Sequence, residues 1–243
     1  MVPFLPDAKA LRATSATGAS GASGEDGQVG IDANAVLWSS SERDHGGRPL
    51  LVLLHGYGSH EGDLFSLGAY LPLEPVLASL RAPLPLGGGA NAWWSLQVPL
   101  DPDQPRADPT AVEEAVGGVL DWLDALEYSG PVGLLGFSQG AALAVQLLRR
   151  APGRFAFAVA LSGFVVPLAE GDDADERLAR DRPAVFWGRG TLDSVIPEQL
   201  VRDAGAWFVE HTALDARVYE GVAHGVSQAE LADIGTFIRL GFA

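Results

Sequence analysis

The chain has 243 residues, no cysteine and a formal net charge of −15 at pH 7. The length is sufficient for one domain with a complete hydrophobic core, and the lack of cysteine excludes disulfide and thiol chemistry. The acidic balance, without a cluster of Lys or Arg, argues against nucleic acids and anionic membrane surfaces as partners. No apolar run reaches the ~18 residues of a membrane span, so we expect no stable membrane insertion.

Residues 1–28 differ in composition from the rest of the chain. Residues 13–24 are small, polar and low in complexity, so they cannot bury enough apolar surface to become ordered. We expect a disordered N-terminal tail (1–28) followed by one domain (29–243). The tail is not typical of a signal peptide, because Lys9 and Arg12 follow its only apolar residues and no apolar core of about 7–15 residues is present. A cytoplasmic location is therefore the default expectation.

Apolar runs alternate with helical segments along the domain, which is typical of βαβ units and a mostly parallel sheet with helices on both faces. The predicted strands are Val36–Ser39, Leu50–Leu54, Val76–Ser79, Val132–Gly136, Phe157–Leu161, Ala184–Trp187 and Ala216–Tyr219. The predicted helices are Asp63–Leu71, Thr110–Leu126, Gln139–Arg150, Glu198–Glu210 and Gln228–Leu240.

The most informative motif lies where the predicted strand Val132–Gly136 meets the predicted helix Gln139–Arg150. The residues there form a G-x-S-x-G around Ser138. Between a strand and a helix this pattern predicts a sharp turn, the nucleophile elbow, whose flanking positions Gly136 and Gly140 leave no room for side chains. The Ser138 hydroxyl then stands clear of the sheet, so we interpret Ser138 as a candidate nucleophile.

An oxyanion hole is expected beside this serine. Backbone N–H groups at the start of the following helix face developing negative charge, which favours the N–H of Gln139 as one donor. The strand Leu50–Leu54 ends in the sequence His55-Gly56-Tyr57-Gly58, and such glycines let the backbone approach a ligand closely. We therefore predict the backbone N–H of Tyr57 as the second donor. His55 lies in a different strand, before Ser138, and we expect it to brace the loop.

A serine nucleophile needs a base and a carboxylate that orients it, and after an elbow these follow in the order Asp or Glu, then His. Asp193 follows the predicted strand Ala184–Trp187 and precedes Pro197. Taken alone, Asp193 resembles a turn or cap residue, but its place along the chain favours the orienting carboxylate. The competing acidic residues lie in a charged segment without a strand and are interpreted as solvated surface: Asp172, Asp173, Asp175 and Asp181.

Two histidines follow Ser138 in the chain. His224 lies in a loop next to a glycine, between the last predicted strand and the last predicted helix, where a proton-transferring base is expected. His211 lies at the end of a predicted helix, where a partly cationic ring interacts favourably with the helix dipole. The sequence therefore predicts Ser138, Asp193 and His224 as the catalytic set.

Together these motifs resemble the phospholipase/carboxylesterase family of α/β-hydrolases, which includes acyl-protein thioesterases and small bacterial carboxylesterases. The resemblance covers roughly residues 48–242 and implies an α/β-hydrolase fold with the catalytic and oxyanion residues just named. The segments that carry it are Leu-His-Gly-Tyr-Gly-Ser (54–59), Leu-Arg-Ala-Pro (80–83), Ala-Trp-Trp (92–94), Gly-Phe-Ser-Gln-Gly (136–140), Leu-Ser-Gly (161–163), Gly-Thr-Leu-Asp-Ser-Val-Ile-Pro (190–197) and Ala-His-Gly (223–225).

The predicted function is that of a serine hydrolase that cleaves carboxylic esters or thioesters of small or single-acyl-chain substrates through an acyl-enzyme. The alternatives are an acyltransferase or lysophospholipase that uses the same residues, or a non-catalytic binding protein with this fold. A binding protein has no need of a complete triad, which argues against the last alternative. The sequence has no clustered His/Asp/Glu set for a metal, so we expect no metal and no cofactor; a homodimer is compatible with the sequence.

Substrate size depends on what covers the site. The segment Gly163–Arg182 has 20 residues, about half of them charged, so the sequence predicts no large lid and at most a small flap around residues 164–168. Apolar residues on loops at the catalytic end are predicted to form an acyl groove open to solvent. These candidate substrate-binding residues are Trp93, Trp94, Phe65, Phe164 and Leu192.

Overall fold

A seven-stranded sheet forms the centre of the computed structural model, which describes residues 30–41, 44–103, 107–168 and 171–243. The predicted tail at 1–28 lies outside the described residues. The strands of the sheet are β1 (Leu37–Trp38), β2 (Leu50–Leu54), β3 (Val76–Leu80), β6 (Val132–Phe137), β7 (Phe155–Leu161), β8 (Ala184–Gly190) and β9 (Ala213–Tyr219); β4 (Leu84–Gly87) and β5 (Ala90–Ala92) form a separate antiparallel ribbon.

The strand order is β1-β3-β2-β6-β7-β8-β9, and neighbouring strands are parallel except β1, which pairs antiparallel with β3. The residues of β2 are fully buried. A parallel strand covered by helices on both faces is expected to be apolar throughout, which explains the continuous leucine-rich run. The carboxyl ends of the parallel strands meet at one edge, where ligands of open α/β sheets bind.

Helices cover both faces of this sheet, as the sequence predicts. The helices are α1 (Glu61–Phe65), α2 (Pro109–Ala125), α3 (Gln139–Arg150), α4 (Ala174–Asp181), α5 (Glu198–His211) and α6 (Gln228–Gly241). One apolar cluster includes residues of α2, α3, α4 and α5, and the other includes residues of α1, a 3₁₀ turn and α6. The predicted α/β fold with a mostly parallel sheet is confirmed. Within the part of the chain that the structure describes, none of the helices combines the length and the hydropathy of a membrane-spanning segment.

Two local predictions need correction. The predicted helix Asp63–Leu71 is a short α1 followed by a 3₁₀ turn over Ser66–Tyr70, since glycines at 62 and 68 weaken a continuous α-helix. The predicted flap is also not formed: Phe164, Val165 and Val166 are buried in the core cluster that also includes Leu178 of α4.

An ion pair with a buried arginine attaches α4 to the rest of the domain. The Arg149 guanidinium, 1% exposed, donates from Nε and Nη2 to the two carboxylate oxygens of Asp175 at 2.7 and 2.9 Å. It also donates to the carbonyl of Val166 at 2.8 Å and lies 4.6 Å from the Trp207 ring centroid. The interpretation of Asp175 as solvated surface is therefore wrong, because this carboxylate neutralises an arginine that α3 carries into the core.

Helix α5 completes the same junction. The Trp207 indole N–H donates to Asp175 at 2.9 Å, and the His211 ring stacks on Trp207 with its Nδ1 2.7 Å from the Trp207 carbonyl oxygen. His211 is the last residue of α5, where it was expected from the sequence. Residues of α3, α4 and α5 thus meet at one polar junction.

Removal of one partner of this ion pair is expected to destabilise the fold strongly. Asp175→Ala leaves the Arg149 charge buried without a counter-ion and should lower the free energy of unfolding by about 3 kcal/mol. The matched control is Asp173→Ala, because Asp173 pairs with Arg177 on the exposed surface of the same helix, and it should cost less than about 1 kcal/mol. Urea unfolding followed by circular dichroism measures both, and equal losses would contradict the assignment.

Candidate active site

Ser138 lies directly between β6 and α3 in a strained backbone conformation. Its φ is 54° and its ψ is −113°, a region that side-chain-bearing residues rarely occupy. Its backbone N–H donates to the Leu161 carbonyl of the neighbouring strand at 2.8 Å. The residue is partly exposed, while the residues on both sides of it are buried. The turn therefore presents this hydroxyl at the carboxyl edge of the sheet.

Steric packing explains why glycines flank this serine. A Cβ at Gly136 would overlap the backbone of Gly140, and a Cβ at Gly140 would overlap the carbonyl of Leu54 at the end of β2. Both positions therefore require glycine for the chain to turn so sharply against the adjacent strand. The G-x-S-x-G pattern has a direct structural cause here, as the sequence predicts.

Asp193 and His224 form a hydrogen-bonded pair at the same edge. The Nδ1 of His224 lies 2.8 Å from Oδ2 of Asp193, and both side chains are at least nine-tenths buried. An ionised carboxylate can only accept, so Nδ1 carries a proton, and in the neutral form of the ring Nε2 is the nitrogen that is free to accept one. Asp193 follows β8 and His224 follows β9, two parallel strands whose carboxyl ends lie at the same edge of the sheet as the end of β6.

Burial and hydrogen bonding oppose each other at Asp193. Burial raises the pKa of this carboxyl. The hydrogen bond from His224 and those from the backbone N–H groups of Ile196 and Val195 lower the pKa by a larger amount, so the net shift is downward. The two N–H groups donate to Oδ1 at 3.2 and 2.9 Å. The carboxylate therefore stays ionised at neutral pH and is held in one orientation toward the ring.

The structure brings the three predicted catalytic residues to one end of the sheet. The ring of Phe137, the residue before Ser138, lies 4.8 Å from the His224 ring between centroids. From the other side, a Cβ placed on Gly56 would lie 3.4 Å from the Cβ of Ser138. The loop after β2 thus adjoins the serine, and the loop that carries His224 packs against the strand leading to it.

The loop after β2 is fixed by a buried neutral histidine. The Nε2 of His55 accepts the backbone N–H of Ala82 at 3.1 Å, so its Nδ1 bears the proton and donates to the Gly56 carbonyl at 2.8 Å. Burial lowers the pKa of His55, which agrees with the neutral form. The Trp93 indole N–H donates to the His55 carbonyl at 2.8 Å. His55 thus braces this loop, as expected.

The Gln139 side chain links the elbow to the segment after β5. Its Oε1 accepts the backbone N–H of Trp93 at 3.0 Å, and its Nε2 donates to the Trp94 carbonyl at 2.8 Å. As the first residue of α3, Gln139 has a backbone N–H with no partner inside the helix. The sequence predicts a role only for the backbone N–H of Gln139. The structural role of its side chain is seen only in the folded protein.

The predicted substrate-binding residues are not gathered into one groove. Trp93, Trp94 and Phe164 are at most 2% exposed and belong to the core cluster, which contradicts the expectation that they line an acyl groove open to solvent. Phe65 is partly buried against the opposite face of the sheet. Leu192 is 62% exposed beside Asp193 and is the member of this set that is open to a ligand.

The comparisons with known proteins agree with this arrangement. The model of the phospholipase/carboxylesterase family matches residues 39–241. The chain belongs to this family. As a member, it is a hydrolase of the esterase type.

The relatives cover most of the domain. Acyl-protein thioesterase 1 of Kluyveromyces lactis is 29% identical over 207 residues, which covers 78% of this chain and 90% of that protein. The crystal structure of esterase PE8 is 29% identical, with a TM-score of 0.64 over 80% of this chain and 93% of the other. A Bacillus cereus carboxylesterase is 20% identical, with a TM-score of 0.68 over 85% and 94% of the two chains, a likeness of fold.

A buried carboxylate supports the helix that follows the His224 loop. Glu230 completes a capping box at the start of α6, where its backbone N–H donates to Ser227 Oγ at 3.1 Å and its Oε2 accepts from the Ser227 N–H at 3.4 Å. Its Oε1 is buried without a partner among the described residues and faces Gly188. Burial raises the pKa of Glu230 from 4.5 to about 7.

This pKa shift predicts a pH dependence of stability. Because the unfolded chain loses the proton of Glu230 near pH 4.5 and the folded protein near pH 7, the folded state binds more protons between these values. The unfolding free energy of the native protein relative to Glu230→Gln should therefore fall by about 3 kcal/mol as pH rises through this range. Urea titrations at several pH values measure it. Glu220→Gln, at an exposed position, is the control, and a flat difference for Glu230→Gln would refute the prediction.

Proposed function

We propose that this protein hydrolyses carboxylic esters or thioesters by a two-step mechanism in which Ser138 is the nucleophile, His224 the general base and Asp193 the orienting carboxylate. The observation that carries the proposal is the 2.8 Å hydrogen bond between His224 and Asp193 beside a serine held at φ 54°. Membership of the phospholipase/carboxylesterase family supports the same reaction class.

In the first step, Nε2 of His224 takes the Ser138 proton as the serine oxygen bonds to the substrate carbonyl carbon. The resulting oxyanion accepts hydrogen bonds from the backbone N–H groups of Tyr57 and Gln139. The tetrahedral intermediate then expels an alcohol or thiol, which leaves with the proton from His224. Water attacks the acyl-enzyme by the same sequence in reverse and releases the acid.

Preorganisation of the oxyanion donors supports this assignment. In the loop after β2, the N–H groups of Gly58 and Ser59 are bonded to the Asn91 and Gly56 carbonyls at 3.0 and 3.3 Å, and these bonds fix the peptide between Gly56 and Tyr57. The side chain of Gln139 is fixed on both sides of its amide by backbone groups. Donors held in place before the reaction need no reorganisation when the negative charge develops.

The proposed substrates carry a small or single acyl chain. The family description combines phospholipases with carboxylesterases, and the relative from Kluyveromyces lactis is named an acyl-protein thioesterase, so both oxygen and thiol leaving groups fall within the proposal. A cytoplasmic location and a homodimer stay predictions from the sequence.

Replacement of the nucleophile tests the proposal. Ser138→Ala should lower kcat for 4-nitrophenyl butyrate by several orders of magnitude, because the triad works as one unit. A fluorophosphonate probe should form one adduct on the native protein, which peptide mapping places on Ser138. Ser66→Ala, at an exposed position in the 3₁₀ turn, is the control and should keep full activity. Labelling of another serine, or an active Ser138→Ala protein, would overturn the assignment.

The role of Asp193 requires a different variant. Asp193→Asn preserves shape but removes the charge that selects the Nδ1–H tautomer, so kcat should fall by roughly 10³–10⁴-fold. The exposed Asp173→Asn should leave kcat unchanged. Steady-state kinetics with 4-nitrophenyl butyrate, together with circular dichroism to verify folding, distinguish the two. A folded and fully active Asp193→Asn protein is inconsistent with the proposed role.

A further inference from the structure

A pocket of about 350 Å³ lies beside Asp193, on the side of the sheet that α5 covers. It is formed where β7 and β8 end and where α5 begins. The lining includes Ser162, Gly163, Arg189, Asp193, Glu198 and Arg202. Of these side chains, the proposed acyl-transfer mechanism uses only Asp193. The other polar groups of the pocket have no role in that mechanism.

Ser162 is the first of these groups. It follows β7 directly, has a φ of 46° and donates its backbone N–H to the Gly188 carbonyl at 2.8 Å. Its side chain is 2% exposed, and its Oγ has no hydrogen-bond partner among the described residues. Buried hydroxyls almost always have a partner, so a hydroxyl that lines a pocket without one is suited to a ligand.

Arg189 is the second group. It lies in β8, and its guanidinium carbon is 5.9 Å from the centroid of the Trp187 ring. Its Nε is buried without a hydrogen-bond partner in the described part of the chain, and the ion pairs found there do not include it. Arginine presents a planar set of donors that matches a carboxylate or a phosphate, so the pocket contains a guanidinium of suitable geometry that forms no ion pair with the described residues.

The other charges at the pocket are already paired. Arg202 bonds to Glu198 one turn away on α5, and Asp193 bonds to His224 and to two backbone N–H groups. Helix α5 begins at the pocket with Pro197 at its N-cap, which provides no side-chain hydrogen bond. The positive end of the helix dipole therefore adds to the field of Arg189. Since the chain carries a net charge of −15, attraction for an anion has to come from this local arrangement.

The pocket also adjoins the candidate nucleophile. A Cβ placed on Gly163 would lie 3.4 Å from the carbonyl oxygen of Ser138, so the pocket wall and the elbow are in contact. We propose that the pocket binds an anionic, oxygen-bearing group of the ester substrate, a carboxylate or a phosphate, with Arg189 donating paired hydrogen bonds and Ser162 donating from its hydroxyl. The identification of the anion as part of the substrate rests on the proposed esterase function.

Matched esters test the assignment to the substrate. One pair is mono(4-nitrophenyl) glutarate and the uncharged 4-nitrophenyl pentanoate; the other is butyryl glycerol 3-phosphate and uncharged monobutyrylglycerol. The measured quantity is the ratio of kcat/KM for the anionic ester to that for its neutral partner. In Arg189→Gln this ratio should fall about tenfold or more, because a hydrogen bond to a charged group is lost. The ester pair with the larger fall in this ratio shows whether the pocket binds a carboxylate or a phosphate of the substrate.

Two variants serve as comparisons. Arg217→Gln removes the same charge from an exposed position on β9, where Arg217 pairs with Asp215, and should leave the ratio unchanged. Arg189→Lys keeps the charge but loses the paired geometry, so it should lower the ratio less than Arg189→Gln and remains informative if the latter fails to fold. An unchanged ratio in the folded Arg189 variants, or an equal loss for the neutral and anionic esters, would overturn the proposal.

A binding measurement separates this proposal from the esterase function. Isothermal titration of the native protein with glutarate and with inorganic phosphate should show saturable binding of at least one anion, and Arg189→Gln should weaken it about tenfold or more. No turnover is needed for this measurement. Binding that depends on Arg189 in a protein without esterase activity would refute the proposed function but support the anion site. The lack of binding by either anion would refute the site.

Discussion

The close approach of helix α3 to the end of β2 is the constraint on which the candidate site depends. Gly140 packs so tightly against the backbone of Leu54 that a side chain there would overlap it. This contact fixes where the helix begins relative to the sheet. It also brings the loop after β2 next to Ser138, so the nucleophile and the proposed oxyanion donors are placed by the same packing. A residue larger than glycine at position 140 would push α3 away from the end of β2, so its effect would not be limited to one side chain.

A buried polar network then holds this geometry. The Gln139 amide joins the elbow to the backbone at Trp93 and Trp94, the Trp93 indole joins that segment to His55, and His55 joins both to Ala82. Each hydrogen bond is buried, where the loss of a partner is more costly than in water. The two tryptophans therefore act as a rigid support beneath the site, which explains their burial at its base.

The sequence predicts the parts of the fold that have strong periodicity. Strand β2 and helix α3 agree with their predicted limits because an uninterrupted apolar run and a helix-forming run have clear boundaries. The ribbon of β4 and β5 is too short and glycine-rich to show alternation, and α4 buries only Ala174 and Leu178, so its charged sequence resembles a surface loop.

In the candidate site, too, some residues can be predicted from the sequence and others cannot. Ser138, Asp193 and His224 can be predicted because chain order and glycine spacing restrict their positions. The partner of Arg149 could not be predicted, since an aspartate that neutralises a buried charge looks the same in sequence as a solvated one. Ser162 Oγ and Arg189 Nε, which have no hydrogen-bond partner among the described residues, likewise carry no sequence signal, because a missing partner is a property of three-dimensional packing.

The two edges of the main sheet have a consequence for association between copies of the chain. Exposed edge strands offer free N–H and C=O groups to another sheet, and short or charged edges oppose such pairing. At one edge β1 has two residues and runs antiparallel to its neighbour. At the other edge β9 carries the ion pair of Asp215 and Arg217 on its exposed surface. Both ends of the sheet thus resist the addition of a foreign strand, and with it edge-to-edge aggregation.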